Sequence, residues 1–337
     1  PSFSFSKRAE FEFCVGVQLR AQPIMSFKIE VVVETRSELG ESPHYDPQSN
    51  EVIWVDCDGK SINFFDVESK RNRKLQLEKK VAIAIPCKSG NSVLALMEKN
   101  ICLVNRDTGE VTVLCSVEEE RPLNRFNDGK CDSKGRLWYG TLYPAPLSDI
   151  FNNKTPPSYG AFYSFDGVTI KQHLSKVELS NGLDWSIDDK CLYHINSMPK
   201  KIYSYDYEAD SGTISNQREI IDFSTDSSLG YPDGMCRDSE GKLWVAGVCG
   251  SNISRWDPET GERLLKIDMP VVHPTACCFG GSDYSTLYVT SGTFGSSDEE
   301  IKKFPLSGSL FAITGLGVTG LPANSFDDTK CAAKSSL

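Results

Sequence analysis

The chain has 337 residues, with 36 Lys and Arg against 46 Asp and Glu, a formal net charge of −10 and a pI near 5.1. This balance excludes nucleic acid and anionic membrane surfaces as main partners, because both require a basic face. With 39% hydrophobic and 24% charged residues the composition is that of a globular protein, and no apolar run approaches the ~18 residues of a transmembrane helix.

Residues 1–24 are predicted to be an N-terminal extension outside the folded domain. Met25 begins the sequence Met-Ser-Phe-Lys-Ile-Glu-Val-Val-Val, which has the pattern of a natural start that runs into a strand. Upstream of it, Glu10 and Glu12 interrupt the Phe- and Val-rich stretch, so a cleaved signal peptide is not expected. The folded domain is therefore predicted to begin at residue 25.

From there one unit recurs six times along the chain. Each unit has a polar or glycine-containing start, a turn rich in Asp and Ser, and a β-rich run. The six runs align at Trp54, Leu94, Trp138, Tyr193, Trp244 and Tyr288, which lie 40 to 55 residues apart. Further short strands lie between them, and no window has the sustained 3.6-residue apolar period of a helix. Six units of four strands predict an all-β, six-bladed β-propeller over residues 25–325, with 326–337 as a C-terminal tail.

The twelve cysteines favour a reducing compartment. No Cys-x-x-Cys pair is present, so the sequence lacks the main signal of a zinc ribbon or a thioredoxin-like site. Most cysteines lie in apolar strand-like runs, where the thiol behaves as a small hydrophobic group. A chain of this length has its own core and needs no disulfide framework. The expected location is the cytoplasm.

Polar residues that begin four of the repeated units are candidate ligands for a metal ion. The innermost strand of each propeller blade lines the central channel, so equivalent positions converge near the axis. The residues concerned are Glu41, Asn127, Asn181 and Asp233. Carboxylate and amide oxygens without His or Cys are typical of a Ca²⁺, Mg²⁺ or Mn²⁺ site. The alternative is ordinary turn chemistry, since Asn-Gly, Asp-Gly and Glu-Ser-Pro are common turn sequences.

Arg125 is a candidate substrate-binding residue. Strand alternation places it on the same side as Asn127. A guanidinium at that position can bind a carboxylate or a hydroxyl-rich substrate through two parallel hydrogen bonds. The alternative role for Arg125 is an ion pair between blades. Asp128 and Lys130, in the same segment, are interpreted as turn or inter-blade residues.

Seven stretches of the sequence together resemble the senescence marker protein/regucalcin/gluconolactonase family. They are spread over residues 27–322 and so cover nearly the whole chain. They are Gly40-Glu-Ser-Pro43, Asn124-Arg-Phe-Asn-Asp-Gly-Lys130, Ser180-Asn-Gly-Leu-Asp-Trp-Ser186, Pro232-Asp-Gly-Met-Cys236, Gly241-Lys-Leu-Trp-Val-Ala246, Cys277-Cys-Phe-Gly-Gly281 and Ile313-Thr-Gly-Leu-Gly-Val-Thr-Gly320. The family fold is a six-bladed propeller, in agreement with the repeat count.

The resemblance implies a single divalent metal ion held by Glu41, Asn181 and Asp233. It also implies that Arg125 and Asn127 contact the substrate, and that the reaction is hydrolysis of a sugar lactone such as gluconolactone. In this interpretation the metal polarises the lactone carbonyl, and Asp233 is both a ligand and the general base for the attacking water. Ca²⁺ is the expected ion, with Zn²⁺, Mg²⁺ and Mn²⁺ as alternatives. The expected partner is a small-molecule lactone, and the expected oligomeric state is a monomer or a weak dimer.

One segment departs from the family pattern. The resemblance implies a sugar-binding carboxylate soon after Gly140-Thr141, but the sequence continues Leu142-Tyr-Pro-Ala-Pro-Leu-Ser-Asp149. Counting without a gap places Ala145 at that position, and Asp149 is a candidate substitute. We therefore expect weak hydrolysis of gluconolactone and better hydrolysis of less polar lactones or esters. Two alternatives stay open: a calcium-binding regulator without enzymatic activity, and an esterase, phosphotriesterase or luciferin-regenerating enzyme on the same metal site.

Overall fold

The computed structural model describes residues 26–146, 148–149, 152, 154 and 159–332. Within this part of the chain, 24 strands form six antiparallel sheets of four strands each. The innermost strands of the six sheets contact one another in a closed ring around a central channel. The predicted six-bladed β-propeller is therefore confirmed.

Blades 1 to 3 follow one another along the sequence, and each runs from the channel to the outer edge. Blade 1 contains β2 (Gly40–Asp46), β3 (Glu51–Asp56), β4 (Ser61–Asp66) and β5 (Asn72–Gln76). Blade 2 contains β6 (Val81–Pro86), β7 (Ser92–Met97), β8 (Asn100–Asn105) and β9 (Val111–Ser116). Blade 3 contains β10 (Arg125–Cys131), β11 (Leu137–Leu142), β12 (Gly160–Phe165) and β13 (Ile170–Val177).

Blades 4 to 6 complete the circle, and the last of them includes the first strand of the chain. Blade 4 contains β14 (Ser180–Trp185), β15 (Cys191–Asn196), β16 (Lys201–Glu208) and β17 (Thr213–Asp222). Blade 5 contains β18 (Tyr231–Arg237), β19 (Leu243–Val248), β20 (Asn252–Trp256) and β21 (Arg263–Asp268). Blade 6 contains β22 (His273–Gly280), β23 (Thr286–Gly292), β24 (Leu310–Thr314) and β1 (Lys28–Val33).

Helical structure is confined to short segments in the described residues. They are α1 (Asp298–Lys303), α2 (Thr329–Ala332), the 3₁₀ turns Phe223–Thr225 and Ser227–Leu229, and the helical residues 148–149. The sequence pattern, which lacks a helical period, is consistent with this small helix content. Across the described ranges, no helix has the length and apolarity needed to cross a membrane.

The ring is closed by strands from opposite ends of the domain. β1 pairs antiparallel with β24, with Ile29 opposite Ile313 and Val31 opposite Phe311. Phe311 and Ile313 are fully buried, and Ile29 and Val31 pack against the same hydrophobic cluster. Opening the propeller at blade 6 would expose this cluster and the unpaired edges of two strands, which is unfavourable.

Blades 3 and 5 share the turn sequence Asp-Ser-x-Gly-x-Leu-Trp. Asp132 accepts hydrogen bonds from two backbone N–H groups of its own turn and from Trp138 Nε1 at 2.8 Å. Asp238 makes the same set of contacts, with Trp244 Nε1 at 2.9 Å. Both indole rings are fully buried. The aspartate thus fixes the turn and satisfies the buried indole N–H at the same time.

The C-terminal part of the chain packs against blades 2 and 3. Phe326, the first residue of the predicted C-terminal tail, is fully buried and stacks on Phe165 with ring centroids 6.0 Å apart. Its N–H donates to the Pro86 carbonyl at 2.8 Å, and its carbonyl accepts from the Lys88 N–H at 2.9 Å. Phe326 is therefore part of the hydrophobic core.

Candidate functional site

The four polar residues at the starts of the repeats lie at the beginnings of four inner strands. Glu41 is in β2, Asn127 in β10, Asn181 in β14 and Asp233 in β18. In each of these strands the pairing with the next strand shifts register at or beside this residue. A β-bulge of this kind bends the strand and re-aims its side chains. All four residues line the same pocket in the channel, and the sequence pattern alone does not reveal the bulges.

The bulge in β2 holds the backbone next to Glu41 in an uncommon conformation. Ser42 has a φ of 51°, in the left-handed region that residues with a side chain rarely adopt. The Ser42 N–H donates to Glu41 Oε2 at 3.2 Å. Backbone strain of this type is frequent at functional sites, where surrounding structure maintains it. Here it fixes the Glu41 carboxylate toward the channel.

Glu41, Asn181 and Asp233 meet at the floor of one cavity. The Asp233 carboxylate is within hydrogen-bonding reach of the Asn181 amide and of the Glu41 carboxyl group. Asn181 Nδ2 also donates to Ser197 Oγ at 3.1 Å, and Ser197 Oγ donates to the Pro232 carbonyl at 2.7 Å. These bonds orient the amide through its nitrogen and leave its oxygen available as a ligand. The structure thus brings the three predicted metal ligands together.

The cavity floor brings three acidic side chains together in a partly buried position. Burial raises the pKa of Glu41 well above its usual range, and the charges of Asp233 and Asp128 raise it further. Burial likewise raises the pKa of Asp233, with a further contribution from Asp128. Burial raises the pKa of Asp128 itself to about 6. A divalent cation would relieve this repulsion, so the donor set fits such an ion.

The composition of the floor limits which ligands a cation could have. No three His, Cys, Asp or Glu side chains in the described ranges are placed so that they could hold one ion together. A cation at the floor would therefore need the amide oxygen of Asn181 in addition to the Glu41 and Asp233 carboxylates. Ca²⁺ takes six to eight oxygen ligands, so three protein ligands leave positions for water and substrate.

Arg125 and Asn127 line the same cavity from blade 3. Asn127 Nδ2 donates to the Ser180 carbonyl at 2.8 Å, which orients its amide. Arg125 donates one guanidinium N–H to the Phe126 carbonyl at 2.9 Å, and its other donors have no acidic partner among the residues that the structure describes. The alternative role for Arg125, an ion pair between blades, is therefore not observed.

Asp128 reaches the channel, although its sequence context predicts a turn or inter-blade role. It lines a small void together with Glu41 and Asn127. The bulge in β10 explains this placement, because two consecutive residues of a bulged strand can lie opposite one residue of its neighbour. Lys130 does have an inter-blade role, since its Nζ donates to Asp184 Oδ2 at 2.8 Å and to the Met235 carbonyl at 3.0 Å.

The cavity above this floor has a volume of about 250 Å³. Ala145 lines it, at the position where the family resemblance implies a sugar-binding carboxylate. Asp149 is not among the described residues that line the cavity, and its carboxylate pairs with Lys154 Nζ at 2.9 Å. Asp149 therefore does not supply the missing carboxylate in this structure.

The chain is similar to known proteins along most of its length. The family model described as SMP-30/gluconolactonase/LRE-like region matches residues 39–293. Regucalcin from Xenopus laevis is 38% identical over 302 residues, which are 89% of this chain and 99% of that protein. The solved structure of a luciferin-regenerating enzyme has a TM-score of 0.83 and 30% identity, over 90% of this chain and 100% of that one.

A further solved structure supports the fold alone. The calcium-binding protein regucalcin from Agrobacterium tumefaciens has a TM-score of 0.81 at 24% identity, and the match covers 89% of this chain and 97% of that one. The family match itself includes all five residues predicted for the site, from Glu41 to Asp233. The chain therefore belongs to the SMP-30/gluconolactonase/LRE-like family.

Proposed function

We propose that the chain is a divalent-cation-dependent hydrolase that opens lactones. The observation that carries this proposal is the cavity floor, where Glu41, Asn181 and Asp233 meet beside Arg125 and Asn127. A lactone carbonyl is already electrophilic, so one cation and one general base are enough for its hydrolysis. No nucleophilic Ser or Cys is required.

Each residue of the floor has a role in this reaction. Glu41, Asn181 and Asp233 would hold the cation, which when bound supplies Lewis-acid polarisation of the lactone carbonyl. Asp233 accepts a proton from the attacking water as the water oxygen bonds to the carbonyl carbon. The ring C–O bond then breaks and the proton passes to the departing oxygen, so the product is a hydroxy acid. Arg125 and Asn127 bind the polar groups of the ring and the carboxylate that forms.

The family supports this proposal and also supplies its main alternative. The family description includes gluconolactonase, and one related structure is that of a luciferin-regenerating enzyme. Another structure with the same fold is described as a calcium-binding protein. Hard oxygen donors favour Ca²⁺, with Mg²⁺, Mn²⁺ and Zn²⁺ as alternatives. A calcium-binding regulator would use the same three ligands, so turnover has to be measured together with binding.

The test measures hydrolysis and cation binding on the same samples. Protein treated with EDTA is assayed in a pH-stat with δ-valerolactone before and after addition of each cation. We expect turnover only with added cation, and we expect Asp233→Asn to lose it. Asp188→Asn, at an exposed aspartate, is the matched control and should retain it. Calorimetric binding of Ca²⁺ without turnover of lactones, phosphotriesters or luciferin precursors would contradict the proposal and favour the regulator.

A further inference from the structure

An apolar collar lines the cavity around its polar floor. It consists of the six side chains Leu39, Leu142, Leu179, Met198, Val248 and Phe294. They come from blades 1, 3, 4, 5 and 6, so the collar surrounds the floor on most sides. Two further charged residues of the lining, Asp58 and Lys80, form a salt bridge with each other. Ser197 and Tyr231 add two polar side chains to the lining, so the cavity combines a charged floor with walls that are apolar at the collar.

Contacts between blades hold the collar in place. Leu142 and Leu179 are joined by an antiparallel backbone bridge between blades 3 and 4. Leu39 is joined in the same way to Gly292 of blade 6. Leu142 is only 3% exposed, although it lines the cavity. The bridges therefore fix the backbone of three of the six collar residues.

The collar discriminates between two kinds of lactone substituent. A hydroxyl group of a sugar lactone that faces the collar would lie against apolar side chains. In that position it would lose its bonds to water without replacement, which is unfavourable. An alkyl or aryl substituent would instead remove apolar area from water on both the ligand and the protein.

We infer that the substrate is a lactone that carries a short alkyl or aryl substituent in place of a polyol chain, an inference that rests on the proposed function. The lactone carbonyl lies at the floor near Glu41 and Asp233, and the substituent contacts the collar. A cavity of about 250 Å³ is slightly smaller than the ~300 Å³ at the lower end of ligand pockets. It therefore suits a single ring with a chain of a few carbons.

The test compares kcat/KM for three six-membered lactones: δ-valerolactone without a substituent, δ-nonalactone with a butyl chain, and δ-gluconolactone. Each buried methylene contributes about fourfold, so we expect δ-nonalactone to exceed δ-valerolactone at least tenfold and δ-gluconolactone to rank last. Met198→Gln, which keeps the length of the side chain but makes it polar, should reduce the ratio of δ-nonalactone to δ-valerolactone severalfold. Leu264→Gln, at an exposed leucine of the outer strand β21, should leave that ratio unchanged.

The result that overturns the inference differs from the one that overturns the proposed function. If δ-valerolactone is hydrolysed but the butyl chain does not increase kcat/KM, or if δ-gluconolactone is preferred, the inference of an apolar substituent is refuted. The proposed lactonase activity is still supported in that case. If no lactone is hydrolysed, the proposed function fails. The role of the collar is then tested by measuring how tightly the cavity binds lactone analogues. For that purpose δ-valerolactam and its butyl derivative are titrated by calorimetry, and equal affinities for the two would refute the role of the collar.

Discussion

Replacing Glu41 by Gln is expected to stabilise the cation-free protein and to abolish its response to cations. Burial and the charges of Asp233 and Asp128 make the Glu41 carboxylate unfavourable in the cation-free state, which is why its pKa is raised. Gln has almost the same shape but no charge. Burying an unpaired carboxylate costs several kcal/mol, and protonation avoids part of that cost. We therefore expect Glu41→Gln to increase the free energy of unfolding by about 1–2 kcal/mol.

Differential scanning calorimetry measures both effects. A gain of 1–2 kcal/mol corresponds to a rise of about 2–6 °C in Tm in EDTA. Ca²⁺ at about 100 times its Kd should stabilise the wild type by about 2.7 kcal/mol, and this shift should be absent from Glu41→Gln. Glu119→Gln, at an exposed glutamate, should behave as the wild type. A lower Tm for Glu41→Gln in EDTA, together with an unchanged Ca²⁺ shift, would refute the reasoning, because it would make Glu41 a structural residue.

Three further predictions follow from the site and the core. Asp233→Asn should lower kcat/KM for any lactone substrate at least a hundredfold, the usual contribution of a general base, with an unchanged circular dichroism spectrum. Ala145→Glu, which adds a carboxylate to the lining, should raise kcat/KM for δ-gluconolactone about tenfold relative to δ-valerolactone. Burial lowers the pKa of His44 and His273 to about 4 and that of His194 to about 3. Because the unfolded chain binds protons near pH 6.5 and the folded chain does not, the stability that these histidines contribute should be complete above pH 6.5 and fall toward pH 4, by about 2 kcal/mol per histidine at pH 5. The raised pKa values of Glu41, Asp128 and Asp233 act in the opposite direction. Tm against pH is therefore compared between the wild type and His194→Gln, and identical slopes below pH 6.5 would contradict the prediction.

The blades could be predicted because the sequence motif that marks a blade lies within a few residues of the chain. In blade 3 the turn aspartate and the buried tryptophan, Asp132 and Trp138, lie six positions apart and bond directly to each other. Asp238 and Trp244 repeat this arrangement in blade 5. The closing strand of blade 6 has no such signal. β1 has the character of a strand, but its partner β24 lies almost 300 residues further along the chain, and no short motif specifies that pairing.

The candidate site was predictable in its donor residues but not in its geometry. The repeat places Glu41, Asn181 and Asp233 at equivalent positions, and the structure brings them to one cavity floor. The β-bulges that orient these side chains depend on pairing with the next strand. The alternation of inward and outward residues along a single strand, which is what the sequence reveals, does not indicate them. Asp128 was missed for the same reason. The collar was missed because its residues come from five blades and share no motif.

The glycines next to the candidate ligands explain why a turn interpretation was attractive and why it does not hold. Asn181-Gly182 and Asp233-Gly234 have the composition of turns, yet both pairs lie inside inner strands. A side chain at Gly182 would place its Cβ 2.6 Å from the Asp233 carbonyl oxygen, and one at Gly234 would place its Cβ 2.3 Å from the Ala276 Cβ. At these two positions the neighbouring inner strands lie so close that only glycine fits without a shift of the backbone or of the facing side chain.

The two blades without a candidate ligand at this position complete the argument about charge. The inner strands of blades 2 and 6 also shift register near their starts, but Ala82 occupies the position in blade 2 and Thr275 occupies it in blade 6, where its hydroxyl donates to the Gly40 carbonyl. Since all six blades present a bulge to the channel, the fold offers six equivalent positions, and the sequence decides which of them carry ligands. Carboxylates in two of the six, Glu41 and Asp233, would balance the charge of one divalent ion, and Asp128, one residue beyond the blade 3 position, adds a third acidic group beside them. The amides of Asn127 and Asn181 add polar oxygens at two more positions without adding charge, which is compatible with the proposed site for one cation and a neutral ester.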